Sequence, residues 1–143
     1  MPNSNLTDAL GQQDMSGVVD IIHQLESSGG TDKRASKENK EGAKGEFQIH
    51  RGAFSDVQKA LPKKWGGYKW DEVTSDSRLS KSAAGDYLNV ISNYFKSKGV
   101  QPTVDHLLLG YNQGMGATAR GKITKGGISY LAKAHALMSQ EKK

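Results

Sequence analysis

The chain contains no cysteine. A disulfide-stapled fold, thiolate metal sites and a cysteine nucleophile are therefore excluded. No apolar run approaches the ~18 residues that a membrane-spanning helix needs, so no membrane span is expected. Internal repeats are absent, and no stretch alternates apolar and polar residues as a half-buried strand does. The four histidines, His23, His50, His106 and His135, show no H-E-x-x-H or comparable ligand spacing. They read as structural or surface residues, and neither a metal nor any other cofactor is expected. Gly29-Gly30 and the Gly114/Gly116 pair follow helix ends instead of opening a helix after a strand, which argues against a phosphate-binding loop. The first fourteen residues are polar apart from Leu6 and Leu10. They have neither the basic start nor the apolar centre of a signal peptide.

What remains is a basic, helical chain of 143 residues, a length that suits one domain with a real core. Apolar residues make up 35% of it and the mean hydropathy is −0.66. That is polar for a globular domain, but clear helical periodicity argues against disorder. The net charge of +5 favours an acidic partner, such as nucleic acid or a cell wall bearing peptide carboxylates. The basic residues are scattered and form no long block, so there is no strong nucleic-acid footprint and no specific nucleic-acid partner is expected. A flexible N-terminal segment is expected over 1–15, a single domain over 16–139 and a polar tail over 140–143.

Apolar residues set the helices. Val18, Val19, Ile21, Ile22 and Leu25 recur at helical spacing, with Ser16 as the expected N-cap and Gly29-Gly30 as the stop. Residues 31–44 form a charged loop expected to be solvated surface. Ala53, Phe54, Val57 and Leu61 give a short helix ended by Pro62. In Trp65-Gly66-Gly67-Tyr68-Lys69-Trp70 the aromatics either stack on sugar rings or plug the loop onto the body. The longest helix is expected to start at Ser80 or Ser82, to run to Gly99 and to carry Tyr87, Leu88, Ile91 and Phe95 on its inner face. Thr103 caps the next helix, which places Leu107 and Leu108 inward, and Gly114 and Gly116 break the chain. Ile128, Leu131, His135 and Met138 mark the inner face of the last helix. The class is all-α, or α with a very small sheet.

Glu26 stands out. It falls in the last turn of the first helix, on the row Val19, Ile22, Glu26 at the edge of the apolar face. The partial negative charge of a helix C-terminus and apolar neighbours both disfavour an ionised carboxylate. A general acid working near neutral pH needs such surroundings. An ordinary surface glutamate at a helix end is the other reading of this stretch.

Three motifs then occur in order: Glu26-Ser27, Gly42-Ala43-Lys44-Gly45-Glu46-Phe47-Gln48-Ile49, and Gly110-Tyr111-Asn112-Gln113-Gly114. Together they resemble the lytic transglycosylases of the soluble-lytic-transglycosylase type, over roughly residues 18–138. That resemblance implies a lysozyme-like helical domain with a substrate cleft, a fold shared with goose-type lysozymes. It implies cleavage of the peptidoglycan bond between N-acetylmuramic acid and N-acetylglucosamine, giving 1,6-anhydro ends, with Glu26 as acid and then base. Lysozyme-like hydrolysis normally uses two carboxylates, whereas this reaction needs one. By the same resemblance Ser27 supports the cleft, Gln48 and Asn112 face the sugar, Tyr111 packs beside them, and Tyr130 hydrogen-bonds the catalytic glutamate.

The chain also departs from the family pattern. Glu46 stands where an apolar residue is usual and supplies a possible second carboxylate, either turned to solvent or acting on the titration of Glu26 or on a water. Gln113 replaces an alanine. His50 occupies the place where hydrolysing goose-type lysozymes carry an aspartate. Glu38 and Glu41 are further acids in the loop, with nothing in the sequence to fix them. A goose-type muramidase and a non-catalytic wall-binding or structural module are the alternatives. The implied partners are peptidoglycan strands and, in a phage or secretion setting, other virion or secretion-system proteins. The implied place of action is the periplasm and cell wall, reached by a virion or by phage release.

Overall fold

Met15, one residue before the expected cap, opens the first helix. Val19 N donates to Met15 O at 2.9 Å, so Ser16 is already helical. The structure, a computed structural model, describes residues 15–141. The expectations for 1–14, and for the last two residues of the polar tail, lie outside the described residues. Eight α-helices are described: α1 Ser16–Ser27, α2 Arg51–Ala60, α3 Pro62–Trp65, α4 Trp70–Thr74, α5 Ser77–Ser97, α6 Val104–Gln113, α7 Met115–Ala119 and α8 Lys125–Glu141. A 3-10 turn covers Lys33–Ser36, and strands β1 Ala43–Lys44 and β2 Ile49–His50 form a two-stranded antiparallel sheet. With 69% helix and 3% strand, the protein is all-α with a very small sheet. No helix among the described residues is long and apolar enough to cross a membrane.

Two compact units are formed, one from His23–Val90 and one from the stretches on either side of it. Within His23–Val90 the core gathers Phe47, Ile49, Phe54, Val57, Trp65, Trp70, Val73, Ala84 and Leu88. The two tryptophans are plugs. Trp65 is 1% exposed, meets Phe54 edge-on at 6.0 Å and donates its indole N–H to Asp86 Oδ2 at 2.7 Å. Trp70 donates to Ile49 O at 3.0 Å, while Lys44 and Arg51 lie over its ring. A buried indole needs such a partner for its N–H, and both have one, so the sugar-stacking reading fails for them. The longest helix starts at Ser77, earlier than expected. Asp76 Oδ1 caps it by accepting from Leu79 N at 2.9 Å. Ser80 is buried instead, its hydroxyl donating to Val73 O.

In the other unit, Thr103 caps α6 as its sequence suggests. Its hydroxyl accepts from His106 N, and His106 Nδ1 accepts from Thr103 N. Leu107 and Leu108 are fully buried. Gly110 lets α6 come close to α5: a Cβ there would lie 2.8 Å from Ile91 Cγ2. Gly114 breaks the chain, but Gly116 lies inside α7. The inner face of α8 differs from the expected one. Gly127, Tyr130 and Ala134 are buried, whereas Ile128 is 58% exposed and His135 is exposed. Thr124 sets that phase. Its hydroxyl accepts from Gly127 N, and its own N–H is held by Gln113 Oε1. Gly127 is thereby brought against Leu109 and Gln113, where a larger residue has no room. The helix also continues to Glu141, past the expected boundary at 139.

Candidate active site

The end of α1 and the β1–β2 hairpin are built into one joint. β1 and β2 pair with Ala43 opposite His50 and Lys44 opposite Ile49. The four residues between them, 45–48, must turn tightly, so Gly45 and Gln48 both take positive φ, 92° and 46°. This turn points Phe47 inward, where it is 1% exposed and stacks on His23 of α1 with ring centroids 4.5 Å apart. Ser27, also buried, donates its hydroxyl to Glu46 O at 2.7 Å and accepts from Gly30 N at 2.9 Å. His23 Nε2 lies 2.8 Å from Glu46 Oε1, which also accepts from Ser77 Oγ at 3.2 Å. Burial of Phe47 contributes roughly 1.5–3 kcal/mol, against about 1 kcal/mol for one hydrogen bond. The joint is therefore held first by the aromatic stack and aligned by the polar contacts.

Glu26 rides on this joint. It is half-buried in the last turn of α1, next to buried Ser27 and one turn beyond Ile22, which is 0% exposed. The helix ends at Ser28, which takes φ 52°, before the glycines are reached. His23 stands at i−3 from Glu26, the spacing of same-face neighbours on a helix.

Glu46 is neither turned out to solvent nor unattached. Its side chain is about one-third exposed and is held by His23 and Ser77. Glu38 is fixed too: Arg51 donates to both its oxygens at 3.1 Å, and that guanidinium holds its carboxyl below the usual carboxylate range. The Lys44 ammonium donates to Asp71 Oδ1 and likewise holds that carboxyl below the usual carboxylate range.

Gln48 requires a correction. It was expected to face sugar, but its amide nitrogen donates to Ala35 O at 3.1 Å and Gly45 O at 2.9 Å, and its oxygen accepts from Asn39 Nδ2 at 3.1 Å. Both N–H bonds are spent on the loop, so the carboxamide pins the hairpin to the 3-10 turn. Asn39, which the sequence reading passed over, is the organiser of that loop. Its side-chain oxygen accepts from Glu41 N and Ala43 N, an Asx arrangement that a single asparagine in a charged run did not announce. Gln48→Ala should therefore lower stability by roughly 1–3 kcal/mol by leaving part-buried carbonyls unsatisfied. Thermal melting checks this. An unchanged melting temperature with lost activity would return Gln48 to the substrate-facing role.

Tyr111, Asn112 and Tyr130 belong to the other unit. Tyr111 and Tyr130 are buried at 6% and 8% exposure. Asn112 is half-buried, next to Gln113 at the end of α6. Gln113, the replacement for alanine, ties the chain that follows: its amide donates to Thr118 Oγ1 and Lys122 O, and its oxygen accepts from Thr124 N. No family model, curated protein or solved structure matches this chain.

Besides His23, two further histidines sit in structural pairs. His106 stacks on Phe95 at 4.6 Å, and His135 Nε2 meets Asp105 Oδ1 at 2.8 Å. Among the described residues no group of three or more His, Cys, Asp or Glu could hold a metal ion.

Proposed function

We propose that the protein is a peptidoglycan lytic transglycosylase with a lysozyme-like domain, in which Glu26 first protonates the glycosidic oxygen and then takes a proton from the muramic acid 6-hydroxyl. One observation carries the reading. The Glu26-Ser27 pair and the Gly-Ala-x-Gly-x-x-Gln-Ile segment, far apart in sequence, are joined through the Ser27–Glu46 bond and the His23–Phe47 stack. Two of the three motifs on which the family resemblance rests thus make one structural unit. That unit holds a single half-buried glutamate at a helix end. The chemistry follows from it. A nucleophile already tethered to the reacting sugar can lower the barrier by ~7–11 kcal/mol in well-oriented cases, so the muramic acid hydroxyl outcompetes an unheld water. The product has 1,6-anhydro ends, and the place of action is the cell wall, reached by a virion or by phage release.

A second reading, muramidase hydrolysis, is favoured by Glu46, a second carboxylate held in place by His23 and Ser77. Digestion of peptidoglycan in oxygen-18 water separates the two. The expected result is anhydro-muropeptides with no heavy oxygen at muramic acid ends. Dominant heavy-oxygen incorporation would assign the chain to hydrolysis and Glu46 to the water.

A further inference from the structure

The start of α8 is basic and apolar at once. Residues 106–140 contain no aspartate or glutamate. In that stretch Arg120, Lys122, Lys125 and Lys133 are all exposed, and none makes an ion pair among the described residues. α6 packs against both α7 and α8. Its one acid, Asp105, lies in its first turn and meets His135 at 2.8 Å. α7 has no acid, and α8 has none before its last residue, Glu141. No carboxylate from α6 or α7 therefore neutralises the cations at the start of α8.

Two isoleucines stand among these cations. Ile123 is 51% and Ile128 58% exposed, the highest values among the large hydrophobic residues described. A lone exposed aliphatic side chain is ordinary, but these two come as a pair. Thr124 caps α8 by accepting from Gly127 N. Ile123 is then the residue before the cap and Ile128 the fourth after it, the staple positions that bring two apolar side chains together. Even so, about half of each is left to solvent. Along α8, Ile128, Ala132 and Ala136 continue the apolar row beside Lys125, Ser129 and Lys133, all of them exposed.

We propose that this face, the turn from α7 into α8 and the first turns of α8, docks the protein on an anionic phospholipid surface. The isoleucines enter the headgroup region and the cations meet the lipid phosphates. The side chains favour lipid over nucleic acid. A single strand is held by stacking on exposed aromatic rings, and the one tyrosine of α8, Tyr130, is buried. A polyanion of any kind would use the cations and leave the isoleucines in water. The attachment is peripheral, since no described helix is long and apolar enough to cross a membrane. It is independent of the chemistry proposed at Glu26.

Co-sedimentation of the full chain with lipid vesicles tests this. The chain should bind vesicles of phosphatidylcholine with phosphatidylglycerol, ignore phosphatidylcholine alone, and be released by high salt as the charges are screened. Lys122→Gln with Lys125→Gln should weaken binding about twentyfold, at roughly fivefold for each basic residue. Ile123→Ser with Ile128→Ser should weaken it about tenfold or more, with the melting temperature as the control for folding. Ile128→Trp keeps an apolar side chain, and its fluorescence should move to the blue with the anionic vesicles alone. No binding to anionic vesicles at low salt, isoleucine variants that bind as the parent does, or an unshifted tryptophan would each overturn the proposal. So would single-stranded DNA that binds more tightly than the vesicles and is indifferent to the isoleucines, which would assign the face to nucleic acid. A concentration-dependent dimer lost in Ile128→Ser would assign it to a second copy of the chain and overturn the lipid reading too. Lysis of lipid-free peptidoglycan by these variants should match the parent, so failure of lysis and failure of docking are read separately.

Discussion

Glu26→Gln should leave the fold intact and reduce wall lysis by at least about a hundredfold, the lower end of what a positioned general acid contributes. The amide has nearly the shape of the acid, so the stack of Phe47 on His23 and the Ser27–Glu46 bond keep their geometry. What it loses is the transferable proton. In the proposed reaction one group donates that proton and later recovers another, so no second residue covers the loss. Clearing of a peptidoglycan suspension, with the melting temperature as control, decides the matter. A Gln variant that clears the suspension at a rate near the parent's would remove Glu26 from the chemistry. Glu46→Gln is the informative companion. Under the transglycosylase reading it changes the His23 contact and lowers activity modestly. Under hydrolysis it abolishes activity as fully as the change at Glu26.

Helices were legible in the sequence wherever apolar periodicity and capping agreed. Thr103 with His106 at the start of α6, and the run Val18 to Ile22 in α1, are cases. Legibility failed where a tertiary contact set the phase. In α8 the apolar Ile128 faces out because Thr124 and Gln113 turn the helix so that Gly127 packs inward. A glycine leaves no apolar signal, so no periodicity count would find that face. The hairpin was hidden for a similar reason. Two residues per strand are too few to show alternation.

The candidate site was legible as types of residue and less so as roles. Glu26 lies in the last turn of α1, as the helical spacing predicts, and Ser27 bonds the hairpin at Glu46 O. Gln48 was misread because a polar side chain in a motif can face a ligand or hold its own loop, and only the positions of Ala35 O and Gly45 O distinguish the two. Lys33 reads from sequence as a solvated charge, and Glu46 as an acid either turned to solvent or acting on Glu26 or on a water. That His23 and Ser77 hold Glu46 depends on the fold of 30–46, which no local pattern encodes.

Gly45→Ala should be strongly damaging to the hairpin, costing about 2–5 kcal/mol. Two terms add. At φ 92° an L-residue meets the left-handed penalty of roughly 1–2 kcal/mol. The new Cβ would also collide with Thr74 O, a backbone atom that cannot swing aside as a side chain can, and overpacking costs typically 1–3 kcal/mol. For a domain of this size the melting temperature should fall by about 10 °C. Activity should fall with it, because relief of the clash shifts 45–48 and with it Phe47 and the Glu46 carbonyl that anchors Ser27. Gly52→Ala provides the contrast. Gly52 lies early in α2, with no neighbour within 4 Å of an added Cβ. Alanine there should stabilise by up to about 1 kcal/mol through helix propensity. If thermal melting finds the two substitutions equally mild, the hairpin turn does not have the tight approach to Thr74 on which the joint beneath Glu26 depends.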